Sequence, residues 1–499
     1  MIVVRENTLP NFDIIMSDKN LTVSDEYKNR DKWQHMPQLA ANEIAAKNKN
    51  NYPSFSFSFE SQEASTCELK KSMYNVLKTY DNGDTIIINT ASEAVVILNK
   101  EESQNFDRIN AASPYSEFIG ALLDLGFLVK SNEDETFKFD ILRNQFAYEY
   151  GGCVNITIYP TQDCNARCFY CFEQNEKKTK MTPATAQSII DYITAKLTKE
   201  DELVYRWFGG EPLMAIDIID QIIEGVDSYF GGELKYHSII ITNNSLIDDE
   251  LLDKFSGKWH VRKVQTTIDG YKEEHNDRKA YVDTNKDYYN ITLDNIRKIL
   301  KKDIFTICRF NFDKNNYKQF SVVLNDLEEF KNNEKFFIHA TTLRNKCHPE
   351  DIAKKTYIYP EDYEWFYKYV LNELFQKGFY KDVINVLPLR ARNNCLACSI
   401  GGLVINSEGK FFRCLQHSLD ENNCVGSCQQ GVLHNEAYKK WFKLMNALPK
   451  DCKTCPYLPC CQGGCKHYRI ENKPDASPCL REKFYINVIL DLVYKHVNY

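Results

Sequence analysis

The sequence predicts an α/β protein. A parallel sheet, closed or nearly closed as a barrel, carries its helices outside. A small α+β unit precedes it, and a cysteine-rich, strand-poor region follows. Three observations carry this reading. Six apolar runs alternate with helical patterns between residues 150 and 345. Strand-like runs with a turn signal lie within residues 71–137. Eleven of the 18 cysteines fall between Cys395 and Cys479.

Length and composition bound the answer. A chain of 499 residues suggests roughly three domains. It is 43% hydrophobic and 26% charged, an ordinary globular balance that excludes wholesale disorder. The net charge of −7 argues against general nucleic-acid binding, which needs a basic face. No apolar run reaches the ~18 residues of a membrane span. The opening stretch MIVVRENTLPNFD lacks the apolar core of a secretory signal. The expectation is a soluble cytoplasmic protein with neither nucleic acid nor membrane as partner. In a reducing compartment, clustered thiols hold metal or do chemistry rather than form disulfides.

Residues 1–70 form a polar, Asn/Lys-rich N-terminal extension, with a short helical pattern after Pro37 and an alternating FSFSF run at 55–59. A mobile extension or partner-binding arm is expected there. In 71–137, YNVLKTY and DTIIINT read as strands joined at Asp81-Asn82-Gly83, a hairpin signal. AVVILN reads as a third strand; helices at 100–109 and 115–125 and the run GFLVK follow. Residues 138–149 are a linker. The barrel strands, within 150–345, are 154–159, 203–208, 238–242, 263–268, 304–312 and 337–342. A helix opens at Thr182-Pro183, a cap followed by proline in the first turn; others cover about 214–230, 246–256, 290–302 and 317–330. Residues 346–389 hold an amphipathic helix at 361–378, residues 390–480 are the cysteine-rich region, and a helix at 481–497 closes the final segment, 481–499.

Catalytic groups of such a barrel sit at the carboxyl ends of its strands. Directly after the first strand comes TQDCNARCFYCFE, with Cys164, Cys168 and Cys171 spaced C-x3-C-x2-C. Three thiolates on one loop can hold three irons of a cubic [4Fe–4S] cluster and leave the fourth iron open for a ligand. Structural zinc wants four closing ligands, and no nearby histidine completes this set.

This loop, with Tyr170 before its last cysteine, resembles that of the radical S-adenosylmethionine (radical SAM) enzymes. The resemblance implies a partial (β/α)6 TIM-type barrel. It also implies that the open iron binds the amino and carboxylate groups of SAM, whose reductive cleavage yields methionine and a 5′-deoxyadenosyl radical. Further motifs agree. Gly209-Gly210-Glu211-Pro212 after strand two resembles the family's GGEP, which holds the SAM amino group. Thr267-Ile268-Asp269-Gly270 ends strand four and resembles S-x-D-G, with threonine keeping the hydroxyl. Arg278 downstream is the candidate for the SAM carboxylate, with Lys279 adjacent. Arg309-Phe310-Asn311 ends strand five and resembles R-x-N; Arg309 is either a cofactor contact or structural. His275 and Asn243 are weaker candidates.

The second cluster reads Cys398-x10-Gly409-x4-Cys414, then Cys452-x2-Cys455-x5-Cys461-x3-Cys465, then Cys479. This order resembles the SPASM extension, which implies two auxiliary [4Fe–4S] clusters and three in all. Carried over, Cys398, Cys414 and Cys465 belong to the first, and Cys452, Cys455, Cys461 and Cys479 close the second. The first lacks a fourth ligand: either Cys395 supplies it, or the iron is open to a substrate thiolate. Cys424, Cys428 and Cys460 lie outside the pattern, and Cys67, Cys153, Cys308 and Cys347 read as ordinary thiols. The competing class is a zinc-rich interaction protein.

Residues 74–130 resemble the PqqD-like RiPP recognition element, a winged-helix unit that binds a precursor's leader peptide by strand addition. Together the resemblances imply a peptide maturase whose partners are a precursor peptide with its leader and an electron donor such as flavodoxin or ferredoxin. The expected product is a Cys thioether crosslink. The alternatives are carbon–carbon crosslinking and anaerobic sulfatase maturation, for which Asp420 or Asp451 would be the catalytic acid candidates.

Overall fold

The computed structural model describes residues 1–5, 22–23, 68–137, 139–140, 144, 153–174, 177–344, 348–388, 395–418, 420–471 and 479–498. The Pro37 helix, the FSFSF run, most of the 138–149 linker, Cys67 and Cys347 lie outside them.

The barrel strands form where β-branched and aromatic residues cluster. They are Cys153–Thr161, Glu202–Gly209, Lys235–Ile241, Val261–Ile268, Phe305–Phe312 and Phe336–Thr342. Neighbours in sequence are neighbours in the sheet, all parallel. The sixth strand ends the sheet, so the barrel is open rather than closed. Helices return the chain outside. Pro183–Lys196 starts on the Thr182 cap, whose side chain accepts from the Thr185 N–H. Ile216–Phe230 stops at Gly231, left-handed at φ 63°. Asp249–Ser256, Tyr288–Lys301 and Phe320–Asp326 complete the set.

The strand faces divide the labour. On strands four to six, Ile268, Cys308, Phe310 and Ile338 point outward into a core shared with the helices. Phe305, Ile307 and Phe337, on the opposite face, make a separate apolar floor inside.

The cysteine-rich region contains more strand than expected, and that strand continues the barrel sheet. Gly402–Ile405 pairs parallel to the first barrel strand, Gly402 opposite Asn155 and Ile405 opposite Ile158. Lys410–Phe412, Gly426–Ser427 and Gly431–Val432 follow antiparallel, making one sheet of ten strands.

The N-terminal unit has the predicted hairpin, Asn75–Thr79 with Thr85–Asn89, turning where Gly83 takes φ 89°. Val95–Leu98 is the third strand, and helices Lys100–Arg108 and Glu117–Asp124 follow. One expectation needs correction: the start of the chain is built into this unit. Ile2–Arg5 pairs antiparallel with Val95–Leu98, and Leu69–Lys71 pairs with Leu128–Lys130, so the unit begins before residue 71. Its Ile86, Ile88, Val95 and Ile97 share a core with the C-terminal helix Ile486–Asn498. Tyr80 stacks on Tyr494 at 4.0 Å, and Lys78 pairs with Asp491 at 2.6 Å.

Candidate functional site

The loop carrying Cys164, Cys168 and Cys171 leaves the carboxyl end of strand one. All three thiols are partly buried and lie within electrostatic reach of one another. Burial pushes the Cys164 and Cys171 thiols up to about 12, so they are protonated until a metal displaces the proton. The loop is pinned from three sides. Arg167 N–H donates to the carbonyls of Lys279 (2.8 Å) and Ala280 (3.0 Å), and Val282 N–H donates to Asn165 (2.9 Å). Asn243, at the end of strand three, donates to Asn165 Oδ1 at 2.7 Å and approaches Cys164 Sγ at 3.8 Å.

The third side is Gly209-Gly210-Glu211. Gly210 N–H donates to the Thr161 carbonyl at 3.2 Å and Glu211 N–H to the Asp163 carbonyl at 2.9 Å. A Cβ on Gly209 would meet Thr161 O at 2.2 Å, and one on Gly210 would meet Asp163 O at 2.1 Å. The glycines therefore let strand two approach the backbone of the cysteine loop, not a ligand directly. Pro212 begins the 3-10 turn that follows. The Glu211 carboxylate is fully buried. It accepts from Leu213 N–H (3.1 Å), Thr242 Oγ1 (2.8 Å) and Asn243 N–H (2.7 Å). Burial raises its pKa to about 7, against these bonds.

Strand four delivers Thr267 and Asp269. Asp269 is fully buried; its Oδ2 accepts from Tyr170 OH and lies 3.2 Å from Lys279 Nζ, while Oδ1 has no partner. Burial alone would raise this carboxyl, but Lys279 above all, with Tyr170 and Arg278, holds it below the usual carboxylate range. His275 Nδ1 accepts from Asp269 N–H at 3.2 Å, and burial pushes its pKa down to about 3, so the ring is neutral. Arg278 points away from the cysteine loop's thiols. Its Nη2 pairs with buried Asp313 at 2.6 Å, and its guanidinium stacks on Phe169 at 4.8 Å. Lys279 faces inward instead, donating to Thr267 Oγ1 and, at 3.2 Å, to Tyr170 OH. Its ammonium lies within electrostatic reach of Cys168 and Cys164. Asn311 of strand five points at Tyr170 OH from 3.4 Å.

Several of the later cysteines neighbour one another. Cys395, Cys398 and Cys465 lie within electrostatic reach of one another, and Cys414 packs with Cys398 against Ala397 and Trp441. Cys452 neighbours Cys455 and Cys479, and Cys461 neighbours Cys479 and Cys452. The Lys466 ammonium reaches Cys395, Cys398 and Cys461. Arg413, which the sequence reading passed over, is fully buried and binds the carbonyls of Ala397 (3.2 Å), Gly402 (2.6 Å) and Ser399. Its place beside Cys414 is the only sequence signal for it. Cys460 sits at the junction with the N-terminal unit, 3.6 Å from the Thr90 carbonyl; Cys424 packs beside Tyr159, Val404 and Phe412, and Cys428 beside Gly409. Among the described residues, no three Cys, His, Asp or Glu side chains converge as a single metal ion requires.

Residues 158–327 match the model of the radical SAM superfamily. This segment is a radical SAM domain. Such a domain implies a [4Fe–4S] cluster and SAM, and makes the chain an enzyme that uses SAM. The three thiols at the end of strand one fit such a cluster. The chain is similar to a cysteine-type anaerobic sulfatase-maturating enzyme of Clostridium novyi, 26% identical over 350 residues, which are 64% of this chain and 88% of that protein. It is also similar to the solved structure of native anSMEcpe with bound AdoMet: 18% identical, TM-score 0.54, over 69% of this chain and 99% of that one. A further anSMEcpe structure holds AdoMet and a peptide, at TM-score 0.53 and again 69% and 99% coverage. At this identity the likeness of the structures shows the shared fold. No helix among the described residues is long and apolar enough to cross a membrane.

Proposed function

We propose that the chain is a radical SAM/SPASM peptide maturase. Cys164, Cys168 and Cys171 hold the SAM-binding cluster. Cys395, Cys398, Cys414 and Cys465 hold the first auxiliary cluster, and Cys452, Cys455, Cys461 and Cys479 the second. The observation that supports this reading is that cysteines apart in sequence are neighbours, Cys395 with Cys465 and Cys452 with Cys479. When bound, the reduced cluster and SAM supply a 5′-deoxyadenosyl radical that takes a hydrogen from the substrate. The chain's own residues bind and orient. Strands two and three and the Lys279–Val282 turn hold the cysteine loop against the strand ends. Lys279, Thr267 and Asp269 present an ammonium, a hydroxyl and a carboxylate beside it, where an amino acid's two charged groups can be matched. The chain withdraws the cluster from water by burying the loop.

The leader peptide docks on the N-terminal unit as an added strand beside Asn75–Thr79, an edge of its sheet among the described residues. The product is a Cys thioether; the auxiliary clusters, when bound, would offer a path for the electron released in forming it, and the electron donor to the SAM-binding cluster is a flavodoxin or ferredoxin. The rival is oxidation of a cysteine in a sulfatase, favoured by the relationship to the Clostridium enzymes. Against it, Asp420 and Asp451 are both exposed, and Asp420 caps its own 3-10 turn.

The test is anaerobic purification with iron counts and 5′-deoxyadenosine release, for wild type and a Cys164/Cys168/Cys171→Ala triple variant. About 12 irons falling to about 8, with deoxyadenosine lost, is expected. Zinc in place of iron, or no SAM cleavage by iron-loaded protein, overturns the reading. A precursor whose cysteines are replaced by Ala yet is still fully modified overturns the thioether.

A further inference from the structure

The inner face of strands four to six carries one arginine, Arg309, that a second arginine joins from the C-terminal segment. Thr267, Arg309 and His339 stand directly opposite one another in the parallel register, one row above the apolar floor of Phe305, Ile307 and Phe337. Their sequence neighbours Thr266, Ile268, Cys308, Phe310 and Ile338 are fully buried outward, while Arg309 and His339 keep partial exposure toward the interior. Arg481 enters the same space from the C-terminal segment. Its Nη1 donates to Thr341 Oγ1 and, at 3.4 Å, to Tyr367 OH. Arg309 and Arg481 repel each other, and both act on His339.

Among the described residues neither guanidinium forms an ion pair, and the Nε of each is buried with no hydrogen-bond partner. Nearby Asp269 is already matched by Lys279. Glu482 lies within reach of Arg481, but burial raises its pKa and so weakens it as a counter-charge. Two other interior arginines have a different explanation. Arg206 feels the thiol of Cys395, and Arg344 feels Arg481 and, less, the thiol of Cys465, so both can balance the charge of a cluster held there. Arg309 shows no thiol among its main interactions. Placing two guanidiniums together without a counter-charge is costly, and an arriving anion removes the cost.

We propose that Arg309 and Arg481, with His339 beside them, form the subsite for a carboxylate of the substrate: the modified segment brings an Asp or Glu side chain into the barrel. The inference rests on the peptide-maturase reading and names its substrate class. A planar carboxylate can bridge two guanidinium forks, whereas the amide of Gln or Asn brings no charge.

The experiment uses iron-loaded protein with saturating SAM and two probes, N-acetyl-glutamate N-methylamide and its glutamine counterpart, whose binding is measured by ligand-detected NMR. The glutamate probe should bind at least tenfold more tightly than the glutamine probe. Arg481→Gln should reduce that preference at least fivefold, and Arg481→Lys should retain most of it. Should Arg481→Gln not fold, Arg309→Gln carries the same expectation. Equal binding of the two probes overturns the proposal, as does a preference unchanged in the glutamine variants. A preference seen without SAM and abolished by it also overturns it, since the arginines would then serve the SAM carboxylate. SAM cleavage by the same wild-type sample is recorded separately. Its absence would defeat the radical SAM reading, whatever the probes do.

Discussion

Replacing Gly210 by alanine puts a Cβ 2.1 Å from the Asp163 carbonyl oxygen and 2.4 Å from its carbon. Ordinary contact begins near 3.4 Å, so the new atom is more than 1 Å too close to backbone that cannot rotate away. The cysteine loop must move by about that distance or release the hydrogen bonds Gly210–Thr161 and Glu211–Asp163. Two such bonds contribute about 2 kcal/mol, and overpacking strain adds about 1–3 kcal/mol. A shift of about 1 Å in reacting groups costs about a hundredfold in rate. The expected result for Gly210→Ala is a loss of about 3–5 kcal/mol in urea unfolding and at least a fiftyfold fall in deoxyadenosine release at full iron loading. Gly231→Ala is the control. Gly231 is left-handed at φ 63° with nothing within 4 Å of an added Cβ. It should lose about 1–2 kcal/mol from backbone strain and keep its rate. A Gly210→Ala protein that cleaves SAM within twofold of wild type would refute the argument that this glycine positions the loop.

Other outcomes follow from the same geometry. Lys279→Gln should weaken SAM binding at least tenfold by equilibrium dialysis. Arg278→Gln should instead act on stability, costing about 3–5 kcal/mol because buried Asp313 is left without its partner. Glu211 holds its proton longer in the folded state than in the unfolded chain. The SAM-free protein should therefore lose stability as pH rises from about 4.5 to about 7, and Glu211→Gln should flatten that slope in thermal unfolding. Arg413→Leu unfastens the carbonyls around Cys398, and iron analysis should show a loss of about four irons with SAM cleavage retained.

The six barrel strands were legible because each is a β-branched or aromatic run between clear helix patterns. The radical SAM segment was legible because the spacing of Cys164, Cys168 and Cys171 is so restrictive. What escaped was long-range. Ile2–Arg5 finds its strand partner some ninety residues away, in Val95–Leu98, and nothing local in its sequence announces that. Gly402–Ile405 is a four-residue run among cysteines and glycines, and its parallel pairing with the distant strand one has no local signal. Arg278 and Lys279 are neighbours on one short helix, so roughly 100° of rotation decides which faces the site. The left-handed Ala280 at φ 46°, which closes that helix, is not readable from a row of charged residues.

The strand Gly402–Ile405 has a practical consequence. It covers the outer edge of the first barrel strand, which otherwise would expose a row of unpaired amides and carbonyls. Cutting the chain after residue 390 to isolate the barrel would uncover that row beside the cysteine loop. The fragment should then associate edge to edge, its sheet growing by addition of a second molecule. A shortened protein that precipitates would accordingly say little about whether its cysteine-rich end takes part in chemistry.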